Sequence, residues 1–330
     1  MPQHTVYISP SHMDPSYQLE REGLGPNVDL KPWSATNPDD LAAEIADADA
    51  VMTWRVPLPA KVIDRLTRCQ VIIRFGVGFD IVDVEAARAR NIPVCNIPDY
   101  CTDEVADHTM GLLLALNRQI VTFSNNVRSG NAGWSWASAG ELHRITGSTL
   151  GVIGLGRIGT AVALRAKAFG MDVAFHDPYV PNGTDGVRGL RRMQRDELLA
   201  GADYVTLHTP LTNETRGMAD REFFSKLKPG ATLINTSRGP VVDIEALEVA
   251  MRNGNVRAAG LDVLPKEPPD PEPGLLTAWR ANEPWLRGRL IVTPHAAFYN
   301  EESDHDMRVK AARTVREVFD GLPARNRVNP

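Results

Sequence analysis

Residues 148–177 read STLGVIGLGRIGTAVALRAKAFGMDVAFHD, and the order of residue types in this stretch decides the fold. An apolar run leads into the glycine pattern Gly154, Gly156, Gly159, a helical pattern follows, and a second apolar run ends at Asp177. In such a unit the first glycine allows a sharp turn, the second lets a pyrophosphate approach the backbone, and the third lets the helix pack against the sheet. The stretch therefore predicts a dinucleotide-binding strand–helix–strand unit.

Asp177 indicates which dinucleotide is bound. It lies 18 positions after Gly159, at the end of the second predicted strand. A carboxylate there accepts hydrogen bonds from the ribose hydroxyls of NAD and repels the 2′-phosphate of NADP. The sequence therefore predicts NAD as cofactor, with its pyrophosphate on the N–H groups that open the helix.

The composition excludes several classes of protein. The chain has 330 residues, is 43% hydrophobic and 23% charged, and carries a net charge of −5, which predicts a globular enzyme of two domains and argues against a nucleic-acid-binding surface. No signal-peptide pattern opens the sequence and no apolar run is of membrane-spanning length. Cys69, Cys95 and Cys101 form no C-x-x-C pair, so we expect reduced thiols, no metal site and a cytoplasmic location.

Strand and helix patterns alternate along both halves of the chain, which predicts doubly wound parallel sheets. Predicted strands and helices of the first half cover 5–9, 41–48, 50–53, 60–66, 71–74 and 93–96. A proline-free apolar pattern then predicts one long helix over 103–127. Further strands at 204–207, 232–235, 258–262 and 291–293 bring the second sheet to six. Helices are predicted over 221–226, 243–252 and 301–320, and a long loop with one helical turn over 264–289.

The glycine-rich segment after the long helix contains Trp134 and Trp136. Large aromatic side chains on an irregular arm indicate a subunit contact. The alternative is that both tryptophans pack on their own domain.

Three polar residues each follow a strand of the second predicted sheet. Arg238 follows 232–235, while Glu267 and His295 follow the next two strands. The carboxyl ends of parallel strands meet at one edge of a sheet, where open α/β sheets bind ligands. A carboxylate favours the protonated form of a neighbouring histidine, which can donate a proton to a ketone oxygen, and a guanidinium can bind a carboxylate. Each residue alone is more often structural, but their joint placement predicts catalysis.

With these residues in place, the chain resembles the D-isomer-specific 2-hydroxyacid dehydrogenase family over nearly its whole length. The resemblance is carried by RFGVGFD at 74–80, NIP at 96–98, VADH at 105–108, the loop 154–159, NTSRG at 235–239, GLDV at 260–263 with Glu267, and TPHAA at 293–297. Within the family, the blocks at 156–170, 177–179 and 295–299 are most similar to the C-terminal-binding-protein (CtBP)-like branch. That branch has tryptophan where this chain has Phe298, and Glu267 argues against formate dehydrogenases, which have glutamine there.

The resemblance implies two Rossmann-like or flavodoxin-like domains with a cleft between them. They are a substrate-binding domain of residues 1–102 and 300–330, and an NAD-binding domain of residues 103–299 with a dimerisation arm near 125–147. The implied catalytic residues are Arg238 as substrate anchor, His295 as acid/base and Glu267 as its partner. The implied substrate-binding residues are Arg74, Gly76, Val77, Gly78, Tyr100, Arg238 and Phe298. The implied cofactor-binding residues are His108, Thr109, Gly154, Gly156, Arg157, Ile158, Gly159, Asp177, His208, Thr209, Pro210, Thr215, Thr236, Ser237, Asp262 and His295.

The implied activity is NAD-dependent interconversion of a 2-oxo acid and a D-2-hydroxy acid by a homodimer. The alternative is a CtBP-like interaction protein that senses NADH and has incidental dehydrogenase activity. Oxidation of a non-carbon substrate such as phosphite uses the same scaffold and stays open.

Overall fold

Two parallel β-sheets, each in its own unit, organise the chain. The computed structural model describes residues 3–10, 14–130, 134–139, 141–270 and 274–330. Unit 1 comprises Met1–Cys101 with Tyr299–Pro330, and unit 2 comprises Thr102–Phe298. None of the helices within the described ranges combines the length and the hydropathy that a transmembrane segment needs.

Unit 1 is built on a five-stranded sheet of order β2-β1-β3-β4-β5. Its strands are β1 (His4–Ile8), β2 (Val28–Pro32), β3 (Ala50–Thr53), β4 (Val71–Arg74) and β5 (Val94–Cys95). Its helices are α1 (Gln18–Leu24), α2 (Pro38–Glu44), α3 (Ala60–Ile63), α4 (Val84–Ala89) and α13 (Glu301–Phe319). Every residue of β3 is buried, as expected of a parallel strand covered on both faces. The C-terminal helix α13 packs on α1 and β4 and so completes the unit.

Unit 2 is built on a seven-stranded parallel sheet of order β12-β11-β10-β9-β6-β7-β8. Its strands are β6 (Thr149–Ile153), β7 (Asp172–His176), β8 (Arg191–Arg192), β9 (Tyr204–Leu207), β10 (Ala231–Asn235), β11 (Val256–Leu261) and β12 (Leu290–Val292). Its helices are α5 (Thr102–Asn117), α6 (Ile120–Arg128), α7 (Arg157–Ala168), α8 (Thr184–Arg188), α9 (Arg195–Gly201), α10 (Arg221–Ser225), α11 (Ile244–Arg252) and α12 (Leu275–Arg280). The strand order reverses at β6, so the ligand crevice of this sheet lies beyond the carboxyl end of β6. Both units confirm the predicted parallel α/β fold.

The prediction of one long helix over 103–127 is wrong. The first helix ends at Asn117 and the second begins at Ile120, because Gln119 adopts a left-handed backbone conformation with φ 53°. The Gln119 side-chain amide donates a hydrogen bond of 2.7 Å to the Gly288 carbonyl, which holds the break in place. The apolar pattern continues across the break because both segments belong to helices.

The structure also contains short elements that the sequence patterns did not predict. Strands β2 and β8 extend the two sheets, so the second sheet has seven strands where six were predicted. The segment 264–289, predicted as a long loop with one helical turn, contains helix α12 and a 3-10 turn at Pro284–Leu286, and its residues 271–273 lie outside the described residues. Residues 131–133 and 140 of the predicted arm also lie outside them.

A buried ion pair attaches the C-terminal helix to unit 1. The guanidinium of Arg308 in α13 donates to the two carboxylate oxygens of Glu20 in α1 at 2.7 and 2.8 Å, and to Asp14 at 2.6 Å. Glu20 is only 3% exposed. The hydrogen bond from Arg308, with further ones from Ser16, holds the pKa of the Asp14 carboxyl well below its usual range. Arg308 therefore neutralises acidic charge that the fold removes from water.

We expect Arg308→Ala to lower the free energy of unfolding of the protein by about 3–5 kcal/mol, because Glu20 would stay buried without its cation. Urea unfolding at neutral pH measures this change. The matched control is Arg316→Ala on the same helix, whose pair with Asp320 is exposed and should contribute at most about 1 kcal/mol. Equal losses in the two variants would contradict the special role of Arg308.

Candidate active site

The glycine loop connects β6 to α7 at the point where the strand order reverses. A Cβ atom on Gly154, which has φ 91°, would lie 2.7 Å from the His208 carbonyl oxygen, and one on Gly159 would lie 2.1 Å from the Gly154 carbonyl oxygen. A Cβ atom on Gly156 would meet no described atom within 4 Å. Packing within the protein therefore requires glycine at the outer two positions, whereas Gly156 faces the open space through which a pyrophosphate would approach.

The Asp177 carboxylate lies beside this loop, after β7. Its Oδ2 accepts a hydrogen bond of 2.8 Å from the Leu155 N–H, and its Oδ1 accepts one of 2.9 Å from the Tyr179 N–H. These backbone bonds fix the carboxylate, and each oxygen keeps a lone pair for a ribose hydroxyl. After β9, the Thr209 hydroxyl is buried and has no hydrogen-bond partner among the described residues. A bound NAD would supply an acceptor for the Thr209 hydroxyl. It would also use the open space at Gly156 and the fixed carboxylate of Asp177.

Other predicted cofactor-binding residues lie at the carboxyl ends of the same sheet. Arg157 and Ile158 open α7, and after β9 the Thr215 hydroxyl donates to the Pro210 carbonyl at 2.6 Å. Burial lowers the pKa of His208 to about 3, so its imidazole is neutral.

A pair of threonine hydroxyls joins α5 to the end of β10. Thr109 donates to the Val105 carbonyl at 2.7 Å and lies 2.8 Å from the hydroxyl of Thr236. Because the single proton of Thr109 is committed to Val105, the Thr236 hydroxyl is the donor in the second bond. The neighbouring Ser237 hydroxyl donates to Asn235 at 2.8 Å.

Asp262, which follows β11, is a buried carboxylate that accepts hydrogen bonds from three residues. Its Oδ1 accepts from the Thr293 hydroxyl at 2.6 Å and from the Ala296 N–H at 2.9 Å, and its Oδ2 accepts from the Ala297 N–H at 3.0 Å. The Thr293 hydroxyl donates its only proton to Asp262. In the hydrogen bond of 3.0 Å between Thr293 and Nε2 of His108, the histidine is therefore the donor. Asp262 therefore fixes both the turn after β12 and the position of one proton on His108.

His295 lies inside the turn that Asp262 holds. Its backbone is in the left-handed region with φ 53°, and its N–H donates to the carbonyls of Asp262 at 2.7 Å and Thr293 at 3.0 Å. Its Nδ1 lies 2.7 Å from Oε2 of Glu267, whose Oε1 accepts from the Leu264 N–H at 2.9 Å. Since a carboxylate only accepts, Nδ1 carries the shared proton and Nε2 is the atom left for exchange with a ligand. Both side chains are partly exposed, which makes such an exchange feasible.

The loop that bears Arg238 is in backbone contact with the loop that bears Glu267. A Cβ atom on Gly239 would lie 1.9 Å from the carbonyl carbon of Leu264, so only glycine lets the two loops meet. The side-chain amide of Asn235 donates to the Arg238 carbonyl at 3.0 Å and fixes the start of the loop. The three residues predicted to share one sheet edge are therefore linked through contacts between their loops.

Two residues that support this site were not among the predicted ones. Asn235 ends β10 and Thr293 follows β12, and their side chains bond to the Arg238 carbonyl and to Asp262. Their position at the ends of predicted strands was the feature of the sequence that could have identified them. Phe298, which was predicted, forms a T-shaped pair with the ring of His295, with the ring centroids 6.4 Å apart.

In unit 1, the predicted substrate-binding loop follows β4. Gly76 has φ 113°, and a Cβ atom there would lie 1.9 Å from Nη1 of Arg74 and 3.3 Å from the Tyr100 hydroxyl. The Asn96 side chain donates to the Val77 carbonyl at 2.6 Å and fixes the loop. The predicted substrate-binding residues of this unit therefore lie together.

Substitution of Gly159 and of Gly156 should have different effects. We expect Gly159→Ala to lower the melting temperature, because its Cβ would clash with the Gly154 carbonyl oxygen. We expect Gly156→Ala to keep the wild-type melting temperature and to weaken NADH binding about tenfold or more, equivalent to about 1.4 kcal/mol. Thermal unfolding and fluorescence titration with NADH measure the two effects. Wild-type affinity in Gly156→Ala would show that no pyrophosphate approaches this position.

Comparisons with known proteins agree with this geometry. Residues 110–297 match the model of the D-isomer specific 2-hydroxyacid dehydrogenase, NAD binding domain. The chain is 37% identical over 299 residues to a D-3-phosphoglycerate dehydrogenase of Mycobacterium bovis, which is 90% of this chain and 54% of that protein. The chain thus spans about half the length of the curated relatives it matches.

Solved structures also resemble nearly the whole chain. The TT0316 protein from Thermus thermophilus is 33% identical, and a D-lactate dehydrogenase from Aquifex aeolicus complexed with NAD and lactic acid is 29% identical. Each has a TM-score of 0.84, and each match covers 98% of this chain and 99% of the other. The protein therefore belongs to the D-isomer-specific 2-hydroxyacid dehydrogenase family, and unit 2 contains its NAD-binding domain.

Proposed function

We propose that the protein is an NAD-dependent oxidoreductase that interconverts a 2-oxo acid and a D-2-hydroxy acid. The observation that carries the proposal is the hydrogen bond of 2.7 Å between Nδ1 of His295 and Glu267 at the carboxyl edge of the NAD-binding sheet. A histidine held in this way can give a proton from Nε2 to a ketone oxygen and take it back in the reverse reaction. Bound NADH supplies the hydride for the carbon of that ketone.

The other residues of unit 2 position the reactants. Arg238 binds the substrate carboxylate, for which the planar guanidinium is suited, and also polarises the keto oxygen. Asp262 and Thr236 hold the nicotinamide end of the cofactor, and Asp177 holds the adenosine ribose. Phe298 borders the substrate side chain.

Unit 1 contributes the loop that binds the substrate carboxylate through backbone N–H groups. The loop comprises Gly76, Val77 and Gly78, with Arg74 packed against it. Tyr100 borders the substrate side chain. This assignment is supported by the geometry of unit 1, where Arg74 and Tyr100 lie next to Gly76.

The activity is tested with a panel of 2-oxo acids. We expect the protein to consume NADH rapidly with one member of a panel of 3-phosphohydroxypyruvate, hydroxypyruvate, pyruvate, glyoxylate and phenylpyruvate, and to form the D-hydroxy acid. The first and third members follow from the names of relatives, which are a D-3-phosphoglycerate dehydrogenase and a D-lactate dehydrogenase. NADH absorbance and chiral chromatography of the product are the measurements.

The active-site variants His295→Ala and Arg238→Ala are the controls for that panel. Each should lower kcat about 100-fold or more while NADH still binds, because a positioned donor on a developing alkoxide contributes roughly 3–4 kcal/mol. Retained activity in either variant, or NADH binding without turnover on any member, would contradict the proposed reaction.

We further propose a homodimer that forms through α6 and the arm after it. All nine residues of α6 are described and none is buried, and its apolar side chains Ile120, Val121 and Val127 are exposed. Beyond it, Trp134 is 79% and Trp136 is 86% exposed. Contiguous exposed apolar groups of this size mark interaction surfaces.

We expect the double variant Trp134→Ser, Trp136→Ser to shift the protein from dimer towards monomer in light scattering coupled to size exclusion. Leu322→Ser, at an exposed apolar position of unit 1, is the matched control and should leave the dimer intact. An unchanged dimer in the tryptophan variant would contradict the role of the arm.

Membership of the CtBP-like branch stays a prediction. Light scattering with and without NADH tests it. Dimerisation that requires NADH, together with no turnover on the panel, would favour the NADH-sensing alternative. We also propose a cytoplasmic location, which is supported by the cysteines: Cys95 and Cys101 are buried, and burial raises the pKa of the Cys69 and Cys95 thiols to about 12. Cell fractionation tests the location.

A further inference from the structure

A second histidine contacts the hydrogen-bond network that holds the turn of the candidate acid/base. Helix α5 packs against β10, β11 and β12, and His108 lies in its second turn. Nε2 of His108 lies 3.0 Å from the Thr293 hydroxyl and 3.6 Å from Oδ1 of the buried Asp262. The proposed reaction uses His295 for proton transfer and gives His108 no step.

The position of the proton on His108 follows from its neighbours. Thr293 donates its only proton to Asp262 at 2.6 Å, so Nε2 of His108 donates to the Thr293 oxygen. The opposite neutral tautomer would direct a lone pair of Nε2 at the lone pairs of Thr293 and Asp262. His108 is therefore a donor from Nε2 whether its imidazole is neutral or charged.

The hydrogen bond from His108 limits the direction in which the Thr293 hydroxyl can point. Asp262 has two further donors, which are the backbone N–H groups of Ala296 and Ala297. Those groups are fixed by the backbone, whereas a hydroxyl hydrogen rotates about its C–O bond. Because the N–H of His108 occupies one lone pair of the Thr293 oxygen, the hydroxyl hydrogen is directed at Asp262.

The turn held in this way contains His295. Its N–H donates to the carbonyls of Asp262 at 2.7 Å and Thr293 at 3.0 Å, so its backbone is bonded to the same two residues. A loss of order at the Thr293 hydroxyl would therefore reach the hydrogen bond of 2.7 Å between His295 and Glu267.

Helix α5 does not depend on His108 for its attachment to the sheet. The neighbouring Thr109 lies 2.8 Å from the Thr236 hydroxyl, and Leu112 and Leu113 are buried in the core of unit 2. The side chain of His108, in contrast, is 27% exposed. Substitution of His108 should therefore leave the helix in place and remove chiefly the hydrogen bond to Thr293.

We propose that His108 is a positioning residue for the acid/base His295 and acts through Thr293 and Asp262. Its hydrogen bond directs the Thr293 hydroxyl to Asp262 and so keeps the turn in the conformation that presents His295 to Glu267. The inference rests on the proposed function in that His295 transfers the proton. A side chain with an N–H donor at the reach of Nε2 should preserve the turn, and one without it should not.

The test compares His108→Gln with its matched control His108→Asn. The amide nitrogen of glutamine is as many bonds from Cα as Nε2 of histidine, whereas that of asparagine is one bond closer and does not reach Thr293. We expect His108→Asn to lower kcat on the reactive 2-oxo acid about tenfold and His108→Gln to stay within about twofold of wild type, since one hydrogen bond distinguishes them. Dissociation constants of NADH are measured on both variants by fluorescence titration.

A double variant tests whether His108 acts through Thr293. The kcat of His108→Asn, Thr293→Val should stay within about twofold of that of Thr293→Val alone, because the hydroxyl on which His108 acts is already absent. Amide hydrogen exchange measured by NMR examines the turn without any substrate. The N–H groups of Ala296 and Ala297 should exchange about tenfold faster in His108→Asn than in His108→Gln, whereas that of Leu113 in α5 should not differ.

Equal kcat and equal exchange in the glutamine and asparagine variants would overturn the inference. Losses that multiply in the double variant would also overturn it, because His108 would then act independently of Thr293. Weaker NADH binding with an unchanged kcat would assign His108 to cofactor binding alone. An inactive wild type would contradict the proposed reaction, and the exchange rates of the turn would then decide the positioning role by themselves.

Discussion

The buried carboxylate of Asp262 is the constraint on which the candidate active site depends. A charge that is 2% exposed must be hydrogen-bonded, or it costs several kcal/mol. Asp262 obtains its donors from the hydroxyl of Thr293 and from the backbone N–H groups of Ala296 and Ala297, so the chain after β12 must turn around it. His295 lies within that turn and takes a left-handed conformation that costs about 1–3 kcal/mol in isolation. The turn that bears the candidate acid/base is thus held by a charge that has no part in the proposed proton transfer.

A steric constraint acts beside this electrostatic one. Gly239 has no side chain, and the backbone of Leu264 occupies the space that a Cβ atom would need. The Leu264 N–H then orients Glu267, and Glu267 in turn orients the imidazole of His295. The loop of Arg238 is therefore coupled to the histidine through a close backbone contact and two hydrogen bonds. A small displacement at Gly239 would be transmitted to the proton-transfer pair, although Gly239 itself has no chemistry.

The sequence allowed the sheet edge to be predicted because parallel topology brings strand ends together whatever the side chains in between. That is why the glycine loop, Arg238 and His295 could be assigned to one edge from the sequence. The break at Gln119 could not be predicted, since it depends on a hydrogen bond to Gly288, far along the chain, with no proline or glycine to mark it. Strand β8 consists of two arginines and has no apolar pattern. The donors to Asp262 are largely backbone N–H groups, which every residue type supplies.

The order of strands separates two tasks within the NAD-binding sheet. The groups proposed for the adenosine half follow β6 and β7, whereas the candidate catalytic groups follow β10, β11 and β12, and β9 lies between the two sets. In the proposed function, cofactor preference is set by residues such as Asp177, which share no hydrogen bond with the pair of His295 and Glu267 in the described structure. Changes on one side of β9 can alter which dinucleotide binds without disturbing proton transfer, and changes on the other can abolish turnover while the dinucleotide still binds. This separation is the physical reason why one sheet is compatible both with an enzyme and with a cofactor-sensing protein, and why measurements of binding and of turnover must be made independently.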